Sequence, residues 1–321
     1  MSRMTWFLLS MCVIAVIVIP GTIALFVRPK ATPGSKVSLW VDLWDAKAQT
    51  VRKMPLEDYL VGVVAAEMPA SFGLEALKAQ AVAARTYTVR KMLQNQENSA
   101  SRDAHRGAVI CSDPSHCQAW NSREELLRKW GVAGYLGNIR KIIAAVEETD
   151  GLVVTYNGSL IDAVYHSCCG GMTEDAADVW GRRIPYLVAV SCGCQRKALE
   201  LGEMKTWERA ELLAALGLGG MSLPAIASGV QVVARTATAR ASMVSVYGIT
   251  VAAAELRKAL SLKSTRLAVV SDTRSVTFTT TGYGHGVGMC QWGAEVLAQA
   301  GWTFDAILKH YYFGADIQRL D

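Results

Sequence analysis

The segment from Pro55 to Glu67 (PLEDYLVGVVAAE) predicts an amphipathic helix that carries a carboxyl group on its apolar side. Proline suits a first helical turn, and Met68-Pro69 ends the helix directly after Glu67. At 3.6 residues per turn, Glu67 lies within about 20° of the line through Leu56. A carboxyl group packed among apolar side chains tends to keep its proton, as a general acid near neutral pH must. A buried ion pair with Lys or Arg is the alternative.

The next segment predicts a second helix with an ionisable group on its packed side. Arg85 lies within one apolar stripe, which consists of Leu74, Leu77, Ala81, Thr88 and Met92. Arg85 could be the structural partner of Glu67, a clamp on a substrate or a group that tunes the acid. Helical spacing does not separate these roles.

Three motifs of this chain resemble those of one family. Residues 55–87 (PLEDYLVGVVAAEMPASFGLEALKAQAVAARTY) closely resemble the signature of the stage II sporulation protein D family, the peptidoglycan lytic transglycosylases of spore formation. The last motif, Gly284–Tyr312 (GHGVGMCQWGAEVLAQAGWTFDAILKHYY), resembles the same family. The middle motif, Val164–Gly171 (VYHSCCGG), does so with two cysteines where serine-rich residues are more usual. The resemblance implies that Glu67 is the catalytic acid/base and that Arg85 belongs to the active site.

The chain begins with an uncharged apolar segment, Met4–Val27, which is long enough to span a bilayer as a helix. A cleaved signal usually has a shorter apolar core. We therefore predict a membrane anchor over residues 1–28, a linker over residues 29–36 and a catalytic domain over residues 37–321. The flanking positive charges alone favour a cytoplasmic C-terminus. The resemblance instead implies a single-pass protein of the mother-cell membrane, with an extracytoplasmic domain that faces the forespore wall.

Helical and strand patterns alternate without the period of a barrel or a Rossmann fold, so α+β is the predicted class. Ser122–Glu125 is a capping box that opens a helix, and Asn138 can cap another helix that ends near Gly151. Asn157-Gly158 predicts a hairpin turn. Strands are predicted over Leu152–Tyr156, Leu160–His166 and Ser275–Thr281 and within Ser228–Tyr247, and Thr206 and Thr250 are candidate caps of two further helices.

Two histidines, His166 and His285, each follow a predicted strand beside a glycine turn. At such places the backbone can approach a ligand closely, and site residues are common there. We expect the substrate-binding residues to come from the middle and last motifs. They are Tyr165, His166, Ser167, His285 and Gln291.

A short segment holds two imidazoles and two thiols: His105, Cys111, His116 and Cys117. Two Cys and two His form a usual closed zinc set, although this spacing is not that of a zinc finger. A Cys111–Cys117 disulfide or two unrelated thiols are the alternatives. Members of the resembled family often carry a similar loop that can hold zinc, so we expect zinc in a structural or site-shaping role. Because His116 and Cys117 are adjacent, a water could replace His116.

Four further cysteines depart from the family pattern: Cys168, Cys169, Cys192 and Cys194. They could form disulfides across the chain, hold a second metal ion or simply be buried. The sequence does not choose among these states.

The resemblance implies that the protein cleaves glycan strands between N-acetylmuramic acid and N-acetylglucosamine during engulfment of the forespore. The expected partners are peptidoglycan, a wall amidase that strips stem peptides and a membrane protein that holds both enzymes. A zinc-dependent peptidoglycan amidase and a non-catalytic glycan-binding enhancer of an amidase are the alternatives. A net charge of +5 without a long basic run argues against a nucleic-acid partner.

Ordinary glycosidases need two carboxylates that flank the bond. Glu57 and Glu75 are poorly placed to serve beside Glu67, whereas Asp162 and Glu174 remain possible. If Glu67 acts alone, the C6 hydroxyl of muramic acid is the nucleophile, and the product is a 1,6-anhydro-muramic acid end.

Overall fold

The computed structural model describes residues 39–97, 105–219 and 229–320. The predicted anchor and linker lie outside these ranges and stay predictions. Within the described ranges, no helix combines the length and the apolar character that crossing a membrane requires.

The described residues form a mixture of helices and strands, as the sequence predicts. The strands are β1 (Trp40–Asp45), β2 (Thr50–Pro55), β3 (Ile110–Cys111), β4 (Leu152–Tyr156), β5 (Ser159–Leu160), β6 (Tyr165–His166), β7 (Glu203–Glu208), β8 (Val230–Arg235), β9 (Ala241–Val246), β10 (Ile249–Ala252), β11 (Leu267–Ser271), β12 (Ser275–Thr280), β13 (Met289–Cys290) and β14 (Asp316–Arg319). The helices are α1 (Leu56–Glu67), α2 (Leu74–Glu97), α3 (Arg123–Glu147), α4 (Ala176–Trp180), α5 (Gln195–Leu201), α6 (Arg209–Ala215), α7 (Ala253–Ala259), α8 (Gln291–Gln299) and α9 (Phe304–Tyr311).

The strands form small sheets of two or three strands. In three of them the middle strand is β1 (between β2 and β3), β4 (between β14 and β5) or β9 (between β10 and β8). In another, β12 lies between β11 and β7. The short strands β6 and β13 form a parallel pair, in which Tyr165 is opposite Met289 and His166 is opposite Cys290. This pair brings the middle motif beside the last motif.

The buried apolar side chains form two hydrophobic cores. The larger core forms around α1 and α2 and includes Tyr59, Leu60 and Phe72. The smaller core involves residues 212–278, with Phe278 and Leu256 fully buried. The second core therefore comes from chain that lies between the middle and last motifs.

Helix α1 begins and ends as its sequence predicts. Glu57 and Asp58 lie in its first turn, where the helix dipole favours anions. Met68 adopts an extended conformation with φ −118° and ψ 145°, because the proline that follows disfavours a helical residue before it. The helix therefore stops at Glu67.

Some local predictions are confirmed. Ser122 and Glu125 form the predicted capping box of α3. Asn157 and Gly158 have φ values of 50° and 76°, as the predicted hairpin between β4 and β5 requires. The predicted strand Leu160–His166, by contrast, is divided between β5 and β6.

Three predicted helix caps are wrong. Asn138 lies inside α3, whose only non-helical residue is Gly131 with φ 66°. Thr206 lies in β7, where its hydroxyl meets that of Thr277 at 2.9 Å, and Thr250 lies in β10. In each case apolar burial or strand pairing outweighs the local capping preference.

Candidate active site and metal centre

Glu67 is held by groups from two distant parts of the chain. The backbone N–H of Ala119 donates to Oε1 of Glu67 at 2.7 Å. The side-chain amide of Gln291 donates to Oε2 at 3.2 Å. Trp120, the residue after Ala119, lines a cavity of about 260 Å³ together with Gly62 of α1. The carboxyl group at the end of α1 therefore lies between the loop before α3 and the start of α8.

Burial raises the pKa of the Glu67 carboxyl above its ordinary value, because desolvation disfavours the charged form. The Ala119 N–H, the Gln291 amide and the Tyr165 hydroxyl act in the opposite direction and lower it. Burial wins, so the pKa remains raised. A raised pKa is what a carboxylic acid needs to serve as a proton donor near neutral pH.

A network of buried amides and hydroxyls supports these contacts. The Tyr165 hydroxyl donates to Oε1 of Gln118 at 2.7 Å. The amide of Gln118 donates in turn to the Tyr59 hydroxyl at 3.1 Å and to the Thr88 hydroxyl at 3.0 Å. Because every member is hydrogen-bonded, this network fixes the orientation of Tyr165 beside the acid.

Strand β6 carries two predicted substrate-binding residues on opposite faces. Successive side chains of a strand point to opposite sides of the sheet. Tyr165 points toward Gln118 and Glu67, whereas Nδ1 of His166 lies 3.0 Å from the carbonyl oxygen of Val287. The structure therefore brings Tyr165 and Gln291 to Glu67 and places His166 on the other side of β6.

His166 and His285 lie next to each other, with ring centroids 5.4 Å apart. His285 donates from Nε2 to the carbonyl oxygen of Tyr165 at 3.1 Å and accepts at Nδ1 from the N–H of Val287. Burial lowers the pKa of His285 to about 4, so the ring is neutral at physiological pH. Both ring nitrogens of His285 are hydrogen-bonded to backbone groups, and His285 therefore helps to hold β6, the strand that carries Tyr165, in place.

His166 keeps one nitrogen without a hydrogen-bond partner among the described residues. A carbonyl oxygen only accepts, so Nδ1 of His166 carries the proton toward Val287, and Nε2 is the buried atom without a partner. Burial lowers the pKa of His166 well below its ordinary value. Ser167, the next residue, is half-buried, and its carbonyl oxygen accepts from the N–H of Trp292.

Arg85 is not brought to Glu67. It is fully buried, and its guanidinium lies 2.6 Å from Oε2 of Glu57, in the first turn of α1. It also donates to the carbonyl oxygens of Val146 and Leu152 at 3.2 Å each. Glu57 and Glu67 are at opposite ends of α1, about 15 Å apart at 1.5 Å per residue. The structure therefore places Arg85 in a buried ion pair away from Glu67, and its predicted role in the active site stays a prediction.

The other carboxylates near the motifs bind elsewhere. Glu75 accepts from the N–H of Phe304 and pairs with Lys78. Glu174 is fully buried and accepts from the hydroxyls of Thr236 and Thr238. Among the described residues, no other carboxyl group is hydrogen-bonded to Glu67 or is a cause of its raised pKa. Asp162, whose backbone N–H donates to the Tyr186 hydroxyl at 2.9 Å, is likewise not hydrogen-bonded to Glu67. Among the described residues, Glu67 therefore has no carboxyl group in direct contact with it.

The predicted metal ligands come together. The ligand atoms of His105, Cys111, His116 and Cys117 all lie within 4.8 Å of one another, and both thiols are free. Nε2 of His105 is 3.0 Å from Nδ1 of His116 and 3.2 Å from Sγ of Cys117. Nδ1 of His116 is 3.5 Å from Sγ of Cys111. Ligand atoms around a tetrahedral zinc ion stand about 3.3 to 3.8 Å apart.

In this cluster one thiol and one imidazole are held in the forms that bind a metal ion, whereas the hydrogen bond with Cys111 raises the pKa of Cys117. Hydrogen bonding from Cys117 lowers the pKa of Cys111 to about 5, which favours the thiolate. Burial lowers the pKa of His105 and favours the neutral imidazole. Thiolates and neutral imidazoles are the forms that bind zinc. The residues therefore fit a closed zinc site, and this loop leads directly into Ala119.

Several residues around Glu67 were not predicted from the sequence. Ala119 acts through its backbone N–H, for which no side-chain signal exists. Gln80 is fully buried, and its Oε1 accepts from the Gln291 amide at 3.3 Å. Gln80 lies three residues after Leu77 on the packed stripe of α2, so a polar residue on that stripe is the signal that could have found it.

Comparisons with known proteins agree with these motifs. A family model described as stage II sporulation protein matches residues 45–156. The stage II sporulation protein D of Bacillus subtilis (strain 168) is 37% identical over 294 residues, which are 91% of this chain and 81% of that protein. The stage II sporulation protein D of Bacillus amyloliquefaciens is 36% identical over 281 residues, which are 88% of this chain and 79% of that protein.

A relative with a different name is also similar. A protein of Bacillus subtilis (strain 168) named amidase enhancer is 31% identical over 309 residues, with 80% of this chain and 40% of that protein covered. The similarity therefore includes a protein whose name describes assistance to an enzyme.

Proposed function

The chain belongs to the stage II sporulation protein D family, and from this premise we propose that it is a peptidoglycan lytic transglycosylase of sporulation. Its substrate would be the linkage between N-acetylmuramic acid and N-acetylglucosamine in glycan strands. One observation carries the proposal: Glu67 is an acid of raised pKa to which no described carboxyl group is hydrogen-bonded. A hydrolase of the ordinary kind needs a second carboxylate.

The proposed reaction uses one carboxyl group twice. Protonated Glu67 gives its proton to the glycosidic oxygen as the bond from that oxygen to C1 of muramic acid breaks. The resulting carboxylate then takes the proton of the C6 hydroxyl while that oxygen bonds to C1. The products are a free hydroxyl on the leaving sugar and a 1,6-anhydro-muramic acid end, and Glu67 is protonated again.

Neutral hydrogen-bond donors support this cycle. The Ala119 N–H and the Gln291 amide stabilise the carboxylate that exists between the two proton transfers, which is electrostatic stabilisation of a developing charge. The Tyr165 hydroxyl stands close enough to lower the pKa of Glu67. We propose that Tyr165 and Gln291 also orient the sugar, with His166, Ser167 and His285 in supporting positions.

Zinc, when bound by the loop from His105 to Cys117, would supply a structural crosslink. Four protein ligands leave no open position at which a water could be activated. Cys117 is followed directly by Gln118 and Ala119, so fixing Cys117 would also fix the acceptor of the Tyr165 hydroxyl and the N–H that donates to Glu67. The same ligand count argues against a zinc-dependent amidase.

The proposed setting is the mother-cell membrane, with the catalytic domain outside the membrane and facing the forespore wall. A wall amidase that removes stem peptides and a membrane scaffold of the engulfment machinery are the proposed partners. The similarity to a protein named amidase enhancer supports a second candidate, a glycan-binding protein that assists an amidase without cleaving the strand.

Purified, peptide-free glycan strands incubated with the full-length chain in detergent test the proposal. We expect products with 1,6-anhydro ends, each lighter by one water than a reducing end, in mass spectra. Glu67→Gln should reduce turnover by about two to four orders of magnitude. Asp58→Asn removes an exposed carboxylate from the same helix and should leave turnover unchanged.

The remaining outcomes separate the alternatives. Reducing ends that incorporate oxygen from labelled water would show a hydrolase. Glycan binding without any cleavage, by wild-type and Glu67→Gln protein alike, would favour the amidase enhancer. Release of stem peptides from intact peptidoglycan would identify an amidase.

A further inference from the structure

A second group of potential metal ligands lies outside the candidate active site. Cys169, Cys192, Cys194 and Cys290 are all buried, and their sulfur atoms lie within 4.8 Å of one another. They come from the middle motif, from the loop before α5 and from the last motif. Three separate segments of the chain therefore bring their cysteine thiols together at one place.

The spacing of the sulfurs fits one metal ion. Sγ of Cys194 is 3.3 Å from Sγ of Cys169 and 3.7 Å from Sγ of Cys290. Sulfur atoms around a tetrahedral zinc ion stand about 3.8 Å apart, since each Zn–S bond is about 2.3 Å. All four thiols are free in the structure. The sulfurs are too close together to surround a cluster of several irons, whose ions lie between the thiolates.

The surroundings of these thiols resemble the outer shell of a metal site. The N–H groups of Cys169 and Gly293 each donate to Sγ of Cys290 at 3.3 Å. The hydroxyl of Tyr311 lies 3.3 Å from Sγ of Cys192. Hydrogen bonds of this kind orient thiolate ligands and spread their negative charge. The contact from Gly293 also caps the start of α8.

Gly293 shows how closely the backbone of α8 approaches the thiols. A Cβ atom at this position would lie 2.2 Å from Sγ of Cys192 and 2.1 Å from the hydroxyl of Tyr311. Only glycine fits at such a distance. The packing therefore leaves Cys192 where its sulfur faces the other three.

We propose that Cys169, Cys192, Cys194 and Cys290 bind one zinc ion in a tetrahedral site, separate from the His105–Cys117 loop. Soft thiolates in a tetrahedral set of four select zinc or a single iron, and four protein ligands make the site closed and structural. The neighbouring Cys168 lies outside this group of mutually close sulfurs, and its thiol donates toward the carbonyl oxygen of Cys194 at 3.8 Å.

This zinc would tie together the segments that serve Glu67. Cys290 directly precedes Gln291, which donates to the acid, and Cys169 follows the strand that carries Tyr165. Loss of the metal would remove this crosslink and leave the two segments joined by the short β6–β13 pair. The proposed zinc is therefore a positioning element, and its presence does not depend on which reaction the protein catalyses.

Metal content of the full-length chain tests the site. The protein is purified in detergent under reducing conditions, with zinc available. Its zinc content is then measured by inductively coupled plasma mass spectrometry. To remove the other candidate site, Cys111 and Cys117 are both changed to Ser. We expect one zinc per chain in this background and none after the further changes Cys192→Ser and Cys194→Ser. Cys168→Ser, a buried thiol outside the set, should keep the zinc.

X-ray absorption at the zinc edge gives a result that does not depend on folding of the cysteine variants at the proposed site. In the background that lacks Cys111 and Cys117, we expect a first shell of sulfur alone. Zinc with nitrogen or oxygen ligands in that sample would overturn the proposal. Absence of zinc, stoichiometric iron in its place, or peptide mapping that finds disulfides among these four cysteines would also overturn it.

Discussion

Gln291 donates its side-chain amide to Oε2 of Glu67 at 3.2 Å, across 224 residues of chain. The acid at the end of α1 is thus hydrogen-bonded directly to the first residue of α8. This contact joins the first and last motifs of the family at a single carboxyl group. It also makes the pKa of Glu67 depend on a residue of the last motif.

Gln291→Leu should move the alkaline limb of the pH–activity profile to higher pH. The Gln291 amide lowers the pKa of Glu67, so its loss raises that pKa further, and the acid keeps its proton at higher pH. A hydrogen bond to a charged group is worth about 1.5 kcal/mol or more, which corresponds to a shift of about one pH unit. The measurement is kcat/KM against pH. Gln299→Leu, on the exposed side of α8, is the control; a profile of Gln291→Leu that coincides with it would refute the assignment.

Glu67→Gln should stabilise the fold at alkaline pH. The folded pKa of Glu67 is raised, so the native state binds the proton more tightly than the unfolded chain does. Its stabilising contribution is complete below the ordinary pKa and is lost as pH rises through the folded value. Each unit of raised pKa is worth about 1.4 kcal/mol, and Gln avoids this loss because it has no charge. Urea unfolding should show a gap at pH 8 that closes near pH 4; a gap of constant size would contradict the raised pKa.

Arg85→Met should destabilise the protein without abolishing catalysis. The change removes a fully buried cation that binds Glu57 and two carbonyl oxygens, so we expect a loss of about 3 kcal/mol or more in the free energy of unfolding. Turnover of the remaining folded protein should fall far less than the roughly hundredfold loss typical of a missing catalytic group. Arg123→Met breaks an exposed pair with Asp58 and should change stability by about 1 kcal/mol at most. A hundredfold loss of kcat with an unchanged free energy of unfolding would show that Arg85 takes part in catalysis.

Cys117→Ser should remove one metal ion and weaken catalysis together. Ala119 lies two residues after Cys117, and its backbone N–H donates to Oε1 of Glu67. If the loop loosens, this N–H no longer lies in place to donate to the carboxyl group. We expect a loss of activity of about tenfold or more and a rise in the pKa of Glu67. Elemental analysis and the pH–activity profile check both parts. Full activity in a protein that has lost the metal would show that the loop does not position Ala119.

The periodicity of α1 predicted the position of Glu67 at the end of the helix because the helix is short, apolar and ended by Met68-Pro69, so its geometry follows from local sequence alone. The partners of Glu67 could not be predicted in the same way. Ala119 acts through the backbone, and the approach of Gln291 depends on the parallel pairing of β6 with β13. Long-range strand pairing has no local signature.

Arg85 shows the opposite lesson. Helical spacing correctly placed it on the buried side of α2, but burial alone did not reveal which carboxylate it meets. Its partner is Glu57, at the start of α1, because α2 runs back along α1. The guanidinium also reaches the carbonyl oxygens of Val146 in α3 and Leu152 in β4. The failed caps at Thr206 and Thr250 have a similar cause, since strand pairing overrides a weak local preference.

Gly62→Ala should weaken the contact between Glu67 and Ala119, because the added methyl group would push the loop that carries Ala119 away from α1. A Cβ atom at Gly62 would lie 2.2 Å from Nε1 of Trp120 and 2.8 Å from the carbonyl oxygen of Asn121, so the loop that carries Ala119 would have to move away from the helix. Overpacking of this kind costs about 1 to 3 kcal/mol, and the displaced Ala119 N–H would weaken its bond to Glu67. Gly137→Ala adds the same methyl group to α3 in open space and should be neutral or stabilising by up to about 1 kcal/mol. Urea unfolding and glycan cleavage by both variants decide the matter, because equal stability and equal activity would mean that Trp120 does not pack against Gly62 in solution.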